Sequence, residues 1–284
     1  MNGARAYARL VLVLAAPLAL SGCSAVRLAY NNADWLLRRE IAKFSCPGEQ
    51  QQAWLKQQIE GLHAWHRRQE LPRYARTLRR LAAGLDRPLT RDWLEDVYGA
   101  VEDAVMRFVK RVQAPTVAYV SELKPSQVGC MARSMSKRWE QNKRLFQKPH
   151  AVYVELQREK WEDRLDDWMG GFTPGQRAEL DRRLTARKPI HRQMTTAWRN
   201  SGVRFLVLMV SKEPPQEHRR RLQKVMTRRY ALYTSAERRL AGRWERANKQ
   251  VTWAIASRMT ADQRSRLKRS VLGLARDLDI LSGR

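Results

Sequence analysis

The sequence predicts an all-α protein: an elongated assembly of about seven to eight helices, set in two sub-bundles that divide near Pro149. Three observations carry this. Leu, Ala, Arg, Gln, Glu and Lys dominate while glycine is sparse, 14 in 284 residues, and these are good helix formers. Apolar residues recur at spacings of three and four, and no alternating strand pattern runs beyond a few residues. The prolines fall between periodic segments, where a bundle places its loops.

The first helix runs from about Val26 to Phe44 without a clean apolar stripe. A second starts near Pro47 and carries Trp54, Leu55, Ile59, Leu62 and Trp65, with an irregularity at Pro72 before Leu78, Leu81 and Leu85. A third opens at Thr90 with Trp93, Leu94, Val97, Val101, Val105, Phe108 and Val112 on one face, and Pro115 is placed to kink it. A fourth spans about Pro125 to Phe146. The fifth carries Val152, Leu156, Trp161, Leu165 and Trp168 and stops at Gly170-Gly171. A sixth opens at Pro174, is interrupted at Pro189 and ends in Val203 to Val210, an apolar run that reads as a buried stretch of helix. After Pro214-Pro215 a long seventh carries Leu222 through Ile255. The last opens at Thr260 and carries Leu267, Val271, Leu274, Leu278 and Leu281.

The first 22 residues have the layout of a secretory signal. Arg5 and Arg9 supply positive charge, and Leu10 to Leu20 is an apolar stretch too short to span a bilayer, which takes about 20 residues. Leu20-Ser21-Gly22-Cys23 resembles the lipobox of bacterial lipoproteins. That resemblance implies cleavage before Cys23 and a thioether-linked lipid on its sulfur. The expected organisation is a signal peptide over 1–22, an anchored N-terminal helical part over 23–148 and a C-terminal helical part over 149–284. Ser24 in place of aspartate favours the outer membrane, on its periplasm-facing inner leaflet. Cys46 and Cys130 then form an even pair in an oxidising compartment, where disulfides persist.

The formal charge is +27, or +25 once Arg5 and Arg9 are removed, a balance that favours anionic partners. Its densest stretch holds Arg219, Arg220, Arg221 and Lys224, with Arg228 and Arg229 beyond. In a cytosolic chain this would argue for nucleic acid. Export disfavours that partner and leaves lipid head groups, lipopolysaccharide, acidic glycan and acidic stretches of unfolded protein.

One pattern recurs at helix starts. Phe172-Thr173-Pro174-Gly175-Gln176 and Met259-Thr260-Ala261-Asp262-Gln263 are the full copies, and Leu123-Lys124-Pro125-Ser126-Gln127 is a degraded one. Its physics is a capping box: Thr173 or Thr260 accepts a bond from the first turn, and Gln176 or Gln263 reaches back to the threonine N–H. The repeated Leu-Thr-x-x-Gln form resembles the Spy and CpxP group of periplasmic chaperones. That resemblance implies ATP-independent binding of unfolded clients on a basic, partly apolar face, and a homodimer. The run Tyr30-Asn31-Asn32-Ala33-Asp34-Trp35 soon after the lipid cysteine is similar to an uncharacterised family of proteobacterial lipoproteins, which implies no reaction.

No nucleophile elbow, zinc-protease motif, phosphate loop or dinucleotide glycine pattern is present, so no catalytic residue, metal or cofactor is assigned. His63 and His66 share a helix face near Glu60 and Glu70 and read as surface histidines beside Trp65. Glu155, Glu159, Glu162, Asp163, Asp166 and Asp167, interleaved with Arg158, Lys160 and Arg164, read as intrahelical ion pairs. The expected function is a non-catalytic envelope lipoprotein that binds an anionic or unfolded partner. The alternative is an enzyme, or enzyme regulator, acting on peptidoglycan.

Overall fold

The computed structural model describes residues 23–284 apart from Lys212. The expected signal peptide and the lipid attachment on the Cys23 side chain lie outside the described residues. The described chain is all-helical: α1 (Cys23–Asn31), α2 (Ala33–Ser45), α3 (Glu49–Trp65), α4 (Leu71–Ala83), α5 (Arg91–Ser121), α6 (Pro125–Gln147), α7 (His150–Met169), α8 (Pro174–Met209), α9 (Pro215–Thr227), α10 (Ser235–Ala256) and α11 (Ala261–Ser282). A π-helical turn over His66–Glu70 joins α3 to α4 without a break. Among the described residues this makes ten helical rods, more than the seven or eight expected.

The extra rods have local causes. The expected first helix steps at Asn32 into α1 and α2. The expected seventh helix is two, because Tyr230 turns into the left-handed region at φ 62° and Thr234 restarts α10 with a capping box to Glu237. Pro189 does not interrupt α8, which runs unbroken over 36 residues. A proline removes one backbone bond, and the buried Leu184 and Met194 on either side hold the helix together. Pro115 is likewise accommodated inside α5.

The two sequence halves pack into one another. From the C-terminal half, α11 lies along α4 and joins Ala275, Leu278 and Leu281 to Tyr30, Leu71 and Ala75. The end of α8 reaches the other way, packing Leu208 and Met209 with Val117 of α5, Val128 of α6 and Leu222 of α9. The largest cluster surrounds the start of α8, where Tyr153, Leu180, Leu184 and Val251 are fully covered. Each such leucine contributes about 2 kcal/mol by leaving water. Glu70 is fully buried and accepts from Arg107 at 3.0 Å and Arg73 at 2.9 Å, tying the π-helical turn to α5.

Candidate functional site

Two hubs of paired helix starts organise the molecule, and both are built on glutamine. At the first full copy, Gln176 N–H donates to Thr173 Oγ1 at 3.2 Å, and Thr173 N–H donates to Gln176 Oε1 at 2.9 Å. At the second, the same two bonds between Thr260 and Gln263 are both 3.1 Å. The two copies also meet. Gln176 Nε2 donates to Gln263 Oε1 and Gln263 Nε2 to Gln176 Oε1, each at 3.0 Å. The remaining amide protons go to backbone carbonyls: Gln176 to Arg258 at 3.3 Å, Gln263 to Gly171 at 2.9 Å. Both glutamines are buried, and every amide hydrogen and oxygen is used, as burial requires.

The degraded copy forms the second hub with a partner the sequence pattern does not show, the start of α3. Gly48 N–H donates to Gln51 Oε1 at 3.1 Å and Lys124 N–H to Gln127 Oε1 at 3.0 Å. Gln127 Nε2 donates to Gln51 Oε1 at 2.6 Å and to the Cys46 carbonyl at 3.2 Å. Cys46 stands two residues before its helix cap, as Gly171 does in the other hub. Neither Gly48 nor Lys124 offers a side-chain acceptor to the first turn. A Cys46–Cys130 disulfide, with the Cα atoms 6.2 Å apart, clamps the same two helix starts.

The correspondence extends along the helices. Fifteen residues after Gln51, His66 Nδ1 meets the Tyr30 hydroxyl at 2.9 Å; fifteen after Gln176, His191 Nδ1 meets the Tyr153 hydroxyl at 2.8 Å. Burial, and then the neighbouring His63, lowers the pKa of His66 to about 4. Each tyrosine–histidine pair is covered by the far end of the helix that starts at the other hub: Phe146 of α6 lies 5.0 Å from the His191 ring, and Leu278 and Leu281 of α11 cluster with Tyr30. The chain therefore carries two head-to-tail copies of one arrangement. His66 is buried in that packing and His63 half-buried against the Tyr30 ring, so neither is the surface histidine expected; among the described residues no group of three or more His, Cys, Asp or Glu is placed to hold a metal.

The expected basic patch lies on the outer side of α9, opposite the buried Leu222. Arg221 pairs with Glu213, and Arg229 with Glu245 at 2.8 Å. Arg219, Arg220, Lys224 and Arg228 are exposed and have no carboxylate partner among the described residues. The apolar run at the end of α8, expected to be buried, is only half covered. Val203, Val207 and Val210 are 50, 60 and 56 % exposed, whereas Leu208 and Met209 in the same run are buried. An unbroken apolar run puts apolar groups on both faces of a helix, and here only one face is covered. The exposed stripe ends one residue before Ser211, whose hydroxyl meets His218 Nδ1 of α9 at 3.4 Å. Apolar stripe and uncompensated cations thus stand on consecutive helices joined at the α8–α9 turn. Val101, also expected in the core, is 54 % exposed on α5.

A family model for a family of unknown function, DUF6279, matches residues 47–239. The chain belongs to the DUF6279 family. The matched span contains the glutamine pair of Gln51 and Gln127, the Thr173–Gln176 start and all of α9, and it ends before Thr260. No curated protein and no solved structure matches the chain.

The acidic run gives a shallow depression of about 400 Å³ lined by Glu162, Asp163, Asp166 and Asp167 with Phe172 and Arg177. All four carboxylates stand on α7, and Glu162 is tied to Arg177 at 2.7 Å. Glycoside hydrolysis needs two carboxyls flanking the bond from opposite sides, and these four share one helix. Among the described residues no helix is long and apolar enough to cross a membrane.

Proposed function

We propose that this protein is a periplasm-facing, lipid-anchored binder that holds acidic, unfolded segments of other proteins at its α8–α9 corner without ATP. The observation that carries the reading is that two consecutive helices leave the apolar Val203, Val207 and Val210 and the cations Arg219, Arg220, Lys224 and Arg228 exposed, the cations without a carboxylate partner among the described residues. The cations draw an acidic chain in over a screening length of about 8 Å at physiological ionic strength. The valines then cover its apolar side chains. Four uncompensated cations on one surface favour capture, because a cation already in an ion pair gives up that partner to bind.

The lipobox-like Leu20-Ser21-Gly22-Cys23 supports the envelope address, and the paired Leu-Thr-x-x-Gln-like starts support the chaperone-like style. In this reading the two glutamine hubs are the centres of two sub-bundles in an elongated scaffold, and the Gln51–Gln127 hub, next to Val128 in the cluster with Leu208 and Leu222, keeps the corner rigid while a client is held.

The test is light scattering from a denatured acidic protein diluted into buffer with the mature chain carrying Cys23→Ser. Aggregation slows relative to an inert basic protein of equal charge. The combined variant Arg219→Gln, Arg220→Gln, Lys224→Gln loses most of that protection, and so does Val203→Ser with Val207→Ser. Protection no better than the control overturns the reading.

A further inference from the structure

We infer a second interaction surface, on α1 and α2, that lies against anionic phospholipid head groups. It goes beyond the client reading and is independent of it, and it rests on the lipid-anchor reading only for where the membrane is. Two backbone bonds bridge the step at Asn32, so α2 continues closely from α1: Asn32 N–H donates to the Leu28 carbonyl at 3.2 Å and Leu36 N–H to that of Asn32 at 3.1 Å. Leu28 and Trp35, seven residues apart, therefore share a face. They are 67 and 50 % exposed, a large apolar area left in water.

Beside Trp35 is an open groove of about 450 Å³ between α2 and α3, lined by Arg38, Arg39 and Lys56. The Arg39 guanidinium sits 5.3 Å above the Trp35 ring. Asp34 holds Arg38 at 3.1 Å, while Arg39 and Lys56 have no carboxylate partner among the described residues. Tryptophan with flanking cations is the chemistry of the membrane interface, where the ring sits at head-group level and the cation meets phosphate.

Position selects a lipid surface over a protein partner. α1 begins at Cys23, so Leu28 lies about 7.5 Å along it from the anchored residue, and Trp35, on α2, within about 18 Å. A bilayer that holds the lipid of Cys23 is within reach of this face at all times, and its phosphates complement the unpaired cations. One lipidated residue plus a basic apolar face also supplies the two signals that firm anchoring uses.

The experiment is vesicle sedimentation with the mature chain carrying Cys23→Ser, so that no lipid contributes. Vesicles containing phosphatidylglycerol bind the protein and pure phosphatidylcholine vesicles bind it at least tenfold less. Arg39→Gln and Lys56→Gln each weaken binding about fivefold, and Trp35→Ser weakens it further, with unchanged thermal unfolding. An environment-sensitive fluorophore on Leu28→Cys shifts blue on vesicles, and one on Val203→Cys does not. Equal binding to both vesicle types overturns the inference. So does binding that survives Arg39→Gln with Lys56→Gln but is lost in Arg219→Gln with Arg220→Gln. Palmitate labelling of the wild type against Cys23→Ser tests the anchor separately.

Discussion

Replacing Gln263 with Ala probes the hub where it is most exacting. The side chain makes four hydrogen bonds: from Thr260 N–H, to the Gly171 carbonyl, and two with Gln176. At about 1 kcal/mol net for each, Gln263→Ala costs about 4 kcal/mol. Gln176→Ala costs the same by the same count, from Thr173, Arg258 and the shared pair. The two shared bonds enter both single variants but are lost only once in the double. The double variant therefore costs about 6 kcal/mol, and the coupling is about 2 kcal/mol. Gln263→Glu keeps the acceptor for Thr260 but turns a carboxylate oxygen toward the Gly171 carbonyl and Gln176 Oε1. It is at least as damaging as Ala, because a buried acceptor faces acceptors. At the exposed Thr234 start, Glu237 fills the same capping position, which shows that capping alone accepts either residue. Urea unfolding of the mature chain measures all of these. A coupling below about 0.5 kcal/mol, or a benign Gln263→Glu, refutes the hub as described.

Further outcomes follow from the same geometry. Removing the disulfide with Cys46→Ser and Cys130→Ser together, across a separation of 84 residues, costs about 4 kcal/mol; an unchanged urea midpoint contradicts the clamp. Thr173→Ala and Thr260→Ala each cost about 1 kcal/mol, read in the same unfolding experiment, whereas Gly48→Ala removes no side-chain acceptor. His66 is held neutral in the fold, with its pKa lowered to about 4, against about 6.5 when unfolded. The unfolded state then binds the extra proton between those values, so stability present above pH 6.5 falls as pH drops toward 4, by about 3 kcal/mol in all. Urea midpoints measured from pH 7 to pH 4 show that slope, and it flattens in the Tyr30→Phe, His66→Leu pair. Arg107→Ala leaves the fully buried Glu70 carboxylate with the half-exposed Arg73 alone and costs about 3 kcal/mol, read in the same urea unfolding.

The helical class is legible in the sequence because stripe spacing and proline placement are local properties. Thr173, Gln176, Thr260 and Gln263 are legible as helix starts for the same reason, since a cap is settled within four residues. That the two starts bond to each other is not, because Gln176 and Gln263 are 87 residues apart and the capping pattern is complete without a partner. Gln51 is further hidden by Gly48, which removes the threonine that would mark it. The division of the expected seventh helix had a signal: Thr234-x-x-Glu237 is a capping box inside an apparently continuous stripe. The exposed valines had one too, since a run apolar at every position from Phe205 to Val210 has more apolar faces than a two-layer contact covers. The Tyr30–His66 and Tyr153–His191 pairs had none, as nothing in a lone tyrosine or histidine names its partner.

The claim that the α8–α9 corner holds acidic unfolded chains is tested most directly by site-specific photo-crosslinking in the envelope. A photoreactive residue is placed at Val207, at Lys224 or, for comparison, at Asp163 on the acidic face of α7, and cells are irradiated while an acidic secreted protein is prevented from folding. Crosslinks to that protein are expected from Val207 and Lys224, lost when the protein folds, and few from Asp163. Equal capture from all three positions, or capture of the folded protein as readily as the unfolded one, contradicts it.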